Sequence, residues 1–329
     1  MGLEALSSRK AVENARSIAG VFILACAVAL LEGCAALWPQ TAQMHESRPD
    51  IPPQVELTKV PFFPQTEYQC GPAALATVLA DAGVKVTPED LVSQVYIPER
   101  KGSLQVEMVA AARRHGLVSY VLAPRFEDVL REVSAGTPVI VLQNLGFQDG
   151  WHYAVVVGYD YEKGELILRS GTDQRKTMFF GVHEFAWMRS GYWAMVAVPP
   201  ERIPATADEA RYLSSVAALE RADPKVARTA YEAFLKRWPA NTNAAIGLAN
   251  VHYALKDLPQ AELVLREAAK RDPASVIVLN NLAHTIAEQG RPEEALPIIE
   301  RAAAAGGPHA EAVQKTRATI LDRIAKKKN

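Results

Sequence analysis

Gln65, Cys70 and His152 are the residues of this 329-residue sequence whose types and settings can do chemistry together. Cys70 stands in Gln69-Cys70-Gly71-Pro72-Ala73-Ala74-Leu75. Proline is accepted in a first helical turn because its missing N–H has no partner to lose there, so a helix opens just after Cys70. The partial positive charge of that helix end favours the thiolate, the form that attacks carbonyls, and predicts a pKa below that of a free cysteine. His152 opens the β-branched run Tyr153-Ala154-Val155-Val156-Val157. A strand there presents an imidazole that can take the thiol proton and return it to a leaving amine. Gln65, five residues ahead of Cys70, offers a side-chain amide to the oxyanion formed by attack; such a donor is worth roughly 3 kcal/mol.

Two other histidines have structural readings. His115 ends a helix in Arg113-Arg114-His115-Gly116, where a cationic side chain complements the helix dipole, and His183 in Val182-His183-Glu184-Phe185 reads as a surface turn. Residues 58–198 resemble the bacteriocin-processing peptidases, papain-like cysteine proteases that cut double-glycine leader peptides, and most of all their stand-alone periplasmic relatives. Gln65, the block Gln69-Cys70-Gly71-Pro72-Ala73 and His152 with its apolar strand carry the resemblance. It implies a papain-like α+β fold and cofactor-free catalysis with Cys70 as nucleophile, His152 as general base and acid, and Gln65 as oxyanion donor. This glutamine is usually six residues ahead of the cysteine rather than five. The family also places an aspartate at the end of the strand after the histidine strand, where it orients the imidazole. The corresponding stretch here is Leu166-Ile167-Leu168-Arg169-Ser170-Gly171-Thr172-Asp173. Ser170 is the aligned residue and Asp173 the nearby carboxylate; both are candidates.

The elements that must position these groups read as helices first and sheet afterwards. Thr87-Pro88 caps a helix, Ser103 opens Leu104–His115, and Phe126–Ser134 forms a third helix ended at Gly136. Short apolar or alternating runs follow at Pro138–Leu142, Tyr153–Gly158, Leu166–Leu168, Thr177–Phe180 and Tyr192–Val198, which predict an antiparallel sheet. Beyond Pro199–Pro204 the pattern becomes wholly helical. Ala227, Ala261 and Ala295 are spaced by 34 residues, as are Phe234, Ala268 and Ala302, and Pro239 and Pro273. That period in a common register is the signature of tetratricopeptide repeats, about three of them over 208–307, with a capping helix over 308–325. The expected organisation is a signal segment over 1–34, a linker over 35–56, a cysteine peptidase-like α+β domain over 57–200 and an all-α repeat solenoid over 206–325.

Charge and cysteines narrow the setting. With 36 basic and 37 acidic residues the chain has no electrostatic footprint for nucleic acid. Arg9, Lys10 and Arg16 precede a 14-residue apolar run ending in Leu31-Glu32-Gly33-Cys34, short of the roughly 20 residues a membrane span needs. The ending resembles a bacterial lipobox, which implies a lipid on Cys34 and a place on the periplasmic side of the outer membrane, or simple secretion to the periplasm. Cys26 then leaves with the signal, and Cys70 is the only unmodified thiol of the mature chain. No metal-binding spacing such as HExxH occurs, and no phosphate-binding glycine loop. The expected partners are a peptide or protein substrate, a protein bound by the repeats, and the membrane through Cys34. Alternatives are a non-catalytic peptide-binding or scaffold lipoprotein on the same fold, and a cell-wall amidase or acyl transferase using the same Cys-His pair.

Overall fold

A computed structural model of the chain describes residues 38–65, 69–144, 146 and 150–328. The signal segment and Cys34 lie outside the described residues. In chain order the first part holds α1 (Pro39–Glu46), β1 (Gln54–Glu56), α2 (Cys70–Asp81), α3 (Pro88–Val95), the two-residue strands β2 (Tyr96–Ile97) and β3 (Gly102–Ser103), α4 (Gln105–Arg114), β4 (Val118–Val121) and α5 (Phe126–Ser134). β5 (Val139–Asn144), β6 (Trp151–Asp160), β7 (Glu165–Ser170), β8 (Asp173–Phe179), α6 (Phe180–Trp187) and β9 (Ala194–Val198) complete it.

The main sheet is antiparallel, ordered β4-β9-β5-β6-β7-β8. β5 pairs with β6 as far as Val156, and β1 takes up the same edge from Gly158 onward. Only glycine fits at that handover, because a Cβ on Gly158 would lie 2.6 Å from the Val55 carbonyl oxygen. Tyr153, Val155 and Val157 face one hydrophobic cluster with Leu75, Val78 and Leu79 of α2. Ala154 and Val156, of opposite parity on the same strand, face the other. β6 is thus buried on both faces and anchors the sheet to α2.

Helices α2 to α5 follow the sequence pattern closely. α3 begins where expected because the Asp90 carboxylate accepts both the Thr87 N–H at 2.9 Å and its hydroxyl at 3.0 Å. Two readings need correction. The stretch 35–56, expected as a linker, carries α1 and β1 from residue 38 on, and both pack into the domain. Glu184 caps α1, accepting the Gln40 and Thr41 N–H groups at 2.9 and 2.6 Å, while the Tyr161 hydroxyl donates to the Met44 carbonyl at 2.7 Å. A carboxylate on a helix N-terminus satisfies two otherwise unpaired donors, a link invisible in a polar, proline-bearing segment. His183, expected in a surface turn, is buried in α6. It stacks on Trp187 with ring centroids 5.5 Å apart, and burial pushes its pKa down to about 3, which leaves it neutral at physiological pH.

Three antiparallel helix pairs follow: α7 (Glu209–Ala217) with α8 (Pro224–Arg237), α9 (Thr242–Ala254) with α10 (Leu258–Arg271), and α11 (Val276–Glu288) with α12 (Pro292–Ala305). α13 (Ala310–Lys328) closes the end, burying Val313 and Ile320. Of the positions that set the 34-residue register, Ala227, Ala261, Ala295, Ala268 and Ala302 are buried, as small residues at helix crossings must be, and Phe234 is buried with them. Pro239 and Pro273 each fall two residues past a helix end.

The core does not stop at Pro199–Pro204. One hydrophobic cluster joins Tyr120, Val196 and Val198 of the sheet to Tyr212, Val216, Ala230 and Phe234 of the first repeat. Tyr120 meets Tyr212 edge to face at 6.0 Å, and the Thr206 N–H and hydroxyl both donate to the buried Glu132 carboxylate at 2.7 Å. A chain ended after Pro200 is therefore expected to melt well below the full-length protein, since each large side chain uncovered forfeits roughly 1.5–3 kcal/mol. Comparing thermal unfolding of the two chains tests this. A fragment melting within a few degrees of the whole would mean that the junction adds little.

Candidate active site

Four of the sequence-derived residues converge on the start of β6. The opening Pro72 places Cys70 in the first turn of α2, whose N-terminal end points at the edge of β6 that β7 leaves open. The half-buried Cys70 thiol takes main-chain N–H groups from Tyr153, Gly71 and Cys70 itself. Gln65 sits on the same residue, with its Nε2 3.5 Å from the Tyr153 carbonyl oxygen and its own N–H bonded to the Gly171 carbonyl at 3.0 Å. His152 precedes Tyr153, and its Nε2 lies 2.9 Å from the Ser170 hydroxyl. Ser170 is buried at the end of β7; Asp173 is exposed at the start of β8, paired in register with Ser170. The structure therefore sets Cys70 and Gln65 against Tyr153, sets His152, the preceding residue of β6, against Ser170, and leaves Asp173 outside.

The electrostatics differ from the sequence expectation. Burial pushes the Cys70 thiol up from its ordinary value, and the three N–H groups only partly oppose it. Desolvation of an anion outweighs the dipole of one helix end. The resting group is a neutral thiol.

Close packing holds this corner. A Cβ on Gly71 would lie 2.1 Å from the Ser103 hydroxyl and 2.5 Å from its Cβ, so β3 sits directly against the first turn of α2. The Tyr153 hydroxyl donates to the Ser103 carbonyl at 3.2 Å, tying the same hairpin to β6. Beside Cys70 opens a cleft of roughly 750 Å³, walled by Ser103, Leu104, Leu142, Trp151 and Tyr153 with Arg100, Lys101 and Arg189 on it. Sequence reasoning missed these wall residues, which lie on β3, β5, β6 and the residue capping α4. Gln143, opposite His152 in the β5–β6 register, was missed too; it is buried with neither amide atom bonded, and its signal was a glutamine ending an apolar run.

Residues 57–187 match the model of the Peptidase_C39 like family. The first domain is similar to that family over this stretch. Residues 212–276 and 257–311 match a tetratricopeptide-repeat model, so the helical part is a repeat domain. No curated protein matches the chain. Among solved structures, a protein of Bacillus anthracis described as a C39-like peptidase is 19% identical, over 44% of this chain and 97% of that one, with a TM-score of 0.38. A double glycine motif protease from an AMS/PCAT transporter, in complex with the leader peptide, is 23% identical over 43% of this chain and 91% of that one (TM-score 0.34). The TPR2B domain of yeast Sti1 is 18% identical over 35% of this chain and 98% of that one (TM-score 0.33). Among the described residues no three potential metal ligands cluster, and no helix is long and apolar enough to cross a membrane.

Proposed function

We propose that the protein is a cysteine peptidase, anchored in the periplasm by lipid on Cys34, whose repeat domain binds a protein partner or substrate. The placement of Cys70 and Gln65 against Tyr153, with His152 one residue earlier on β6 beside Ser170, supports this reading. The Cys70 sulfur adds to the scissile carbonyl carbon as His152 takes the thiol proton, which suits a thiol that is neutral at rest. In the tautomer that leaves Nδ1 as base, Nε2–H donates to the Ser170 hydroxyl. The tetrahedral oxyanion receives the Gln65 amide and the Cys70 N–H. It collapses by breaking the C–N bond, His152 protonates the departing amine, and water, deprotonated by His152, hydrolyses the thioester and releases the acid.

A thioester on Cys70 is the diagnostic species. Incubated with a proteome-derived peptide mixture, the protein is expected to carry hydroxylamine-sensitive acyl adducts on Cys70 by mass spectrometry, and His152→Ala to carry none. Absence of adducts from the unsubstituted protein, with no peptide consumed, would leave a second reading standing. That reading is a peptide-binding module without turnover, favoured by a thiol held neutral and by a serine where a carboxylate would better stabilise imidazolium.

Membrane attachment has its own test. Cys34→Ser is expected to move the protein from the membrane fraction to the soluble periplasmic fraction, and continued membrane association would overturn the lipid anchor.

A further inference from the structure

The cleft beside Cys70 has a charge unlike that of the chain. The sequence as a whole is balanced at −1, yet Arg100, Lys101 and Arg189 line this cavity, and no carboxylate stands among its described lining residues. Arg189 is braced. Its guanidinium lies over the Phe185 ring at 4.8 Å and donates to Asn144 Oδ1 at 3.3 Å, an arrangement that fixes the group at the rim rather than leaving it to sweep solvent. A guanidinium held in this way is shaped for a carboxylate, which it can meet with two parallel N–H donors. Between these polar points the wall is apolar, with Leu104, Leu142 and the half-exposed Trp151.

Resting on the peptidase reading, we propose that this site selects peptides bearing a carboxylate next to the cleaved bond, held by Arg189 and Arg100, with an apolar or aromatic side chain laid against Trp151. The carboxylate belongs either to an acidic side chain or to the C-terminus of the substrate. Opposite charge in a confined cleft raises the local concentration of an anion and is screened by salt, and these two properties separate the proposal from simple apolar binding.

The test reads the cleft independently of turnover. Iodoacetate and iodoacetamide alkylate the same thiol, each displacing iodide, and differ in charge. The full-length protein is treated with each, and modification of Cys70 is followed by mass mapping of its peptide. The iodoacetate-to-iodoacetamide rate ratio at Cys70 is expected to exceed that of free cysteine about tenfold at low salt, to fall as salt is added, and to drop about threefold in Arg189→Gln or Arg100→Gln. A ratio equal to that of free cysteine and unmoved by either substitution overturns the carboxylate site while leaving the peptidase reading intact. No alkylation by either reagent, even above the ordinary thiol range of pH, means a closed cleft and overturns both. A second arm distinguishes the sources: matched peptides pairing Phe with Glu or Gln, each with a free or amidated C-terminus, are assayed for hydrolysis. Faster cleavage of Glu over Gln assigns the side chain; faster cleavage of free over amidated ends assigns the terminus; equal rates across all four overturn the proposal.

Discussion

Cys70→Ala is expected to slow hydrolysis of any peptide the protein cleaves by about 10⁴-fold or more, because every covalent step runs through that sulfur. His152→Ala should cost nearly as much, since the two groups act as one unit and removing either leaves only binding and oxyanion contacts. The thiol adds a pH signature that separates these variants. Burial raises the Cys70 pKa, so the group stays protonated through neutral pH and gains its charge only as pH climbs past the ordinary thiol range. Alkylation of Cys70 should therefore accelerate with pH and bend above the roughly 8.5 of a free cysteine. In His152→Ala the bend should remain while hydrolysis is lost, because alkylation reads the thiol and hydrolysis reads the pair. A bend below the free-cysteine value would mean a preformed thiolate–imidazolium pair and would overturn the neutral-thiol account. It would restore the simpler inference drawn from the helix end alone.

That reversal shows where local sequence stops being informative. The position of Cys70 at a helix N-terminus was legible because Pro72 and the alanine run encode it within six residues. The pKa was not legible, because it depends on how much water β6 and the β2–β3 hairpin exclude, and both lie elsewhere in the chain. The repeat domain was readable for the opposite reason: its contacts are local, and a 34-residue register repeated three times states them directly. His183 and residues 38–56 failed as long-range matters. Glu184, one residue after His183, caps a helix more than 140 positions earlier, and neither partner has a pattern that announces the other. β4 was missed because its four residues, Val118–Val121, are too few for alternation to register; its pairing with β9 and its cover by the first repeat stabilise it.

The group that orients His152 is where position and chemistry disagreed, and the structure gives the two candidates different surroundings. Ser170 is buried with its hydroxyl 2.9 Å from His152 Nε2, while Asp173 is exposed at the start of β8. Ser170→Ala is expected to lower kcat about tenfold, the scale of one neutral hydrogen bond that selects a ring tautomer, with KM little changed because substrate binding does not use it. Asp173→Asn is expected to stay within about twofold, since an exposed charge is screened by water and salt. Ser170→Asp carries the argument further. A buried carboxylate on Nε2 stabilises imidazolium, so the His152 pKa should rise and the Cys70 alkylation bend should fall towards neutral pH, as a thiolate gains a charged partner. If hydrolysis rises together with that fall, the serine is a tuning of the site towards a neutral resting thiol. If Ser170→Ala and Ser170→Asp both leave the rate and the bend where they were, the imidazole is oriented by another group, and buried Gln143, directly across the strand pair from His152, is the first to substitute.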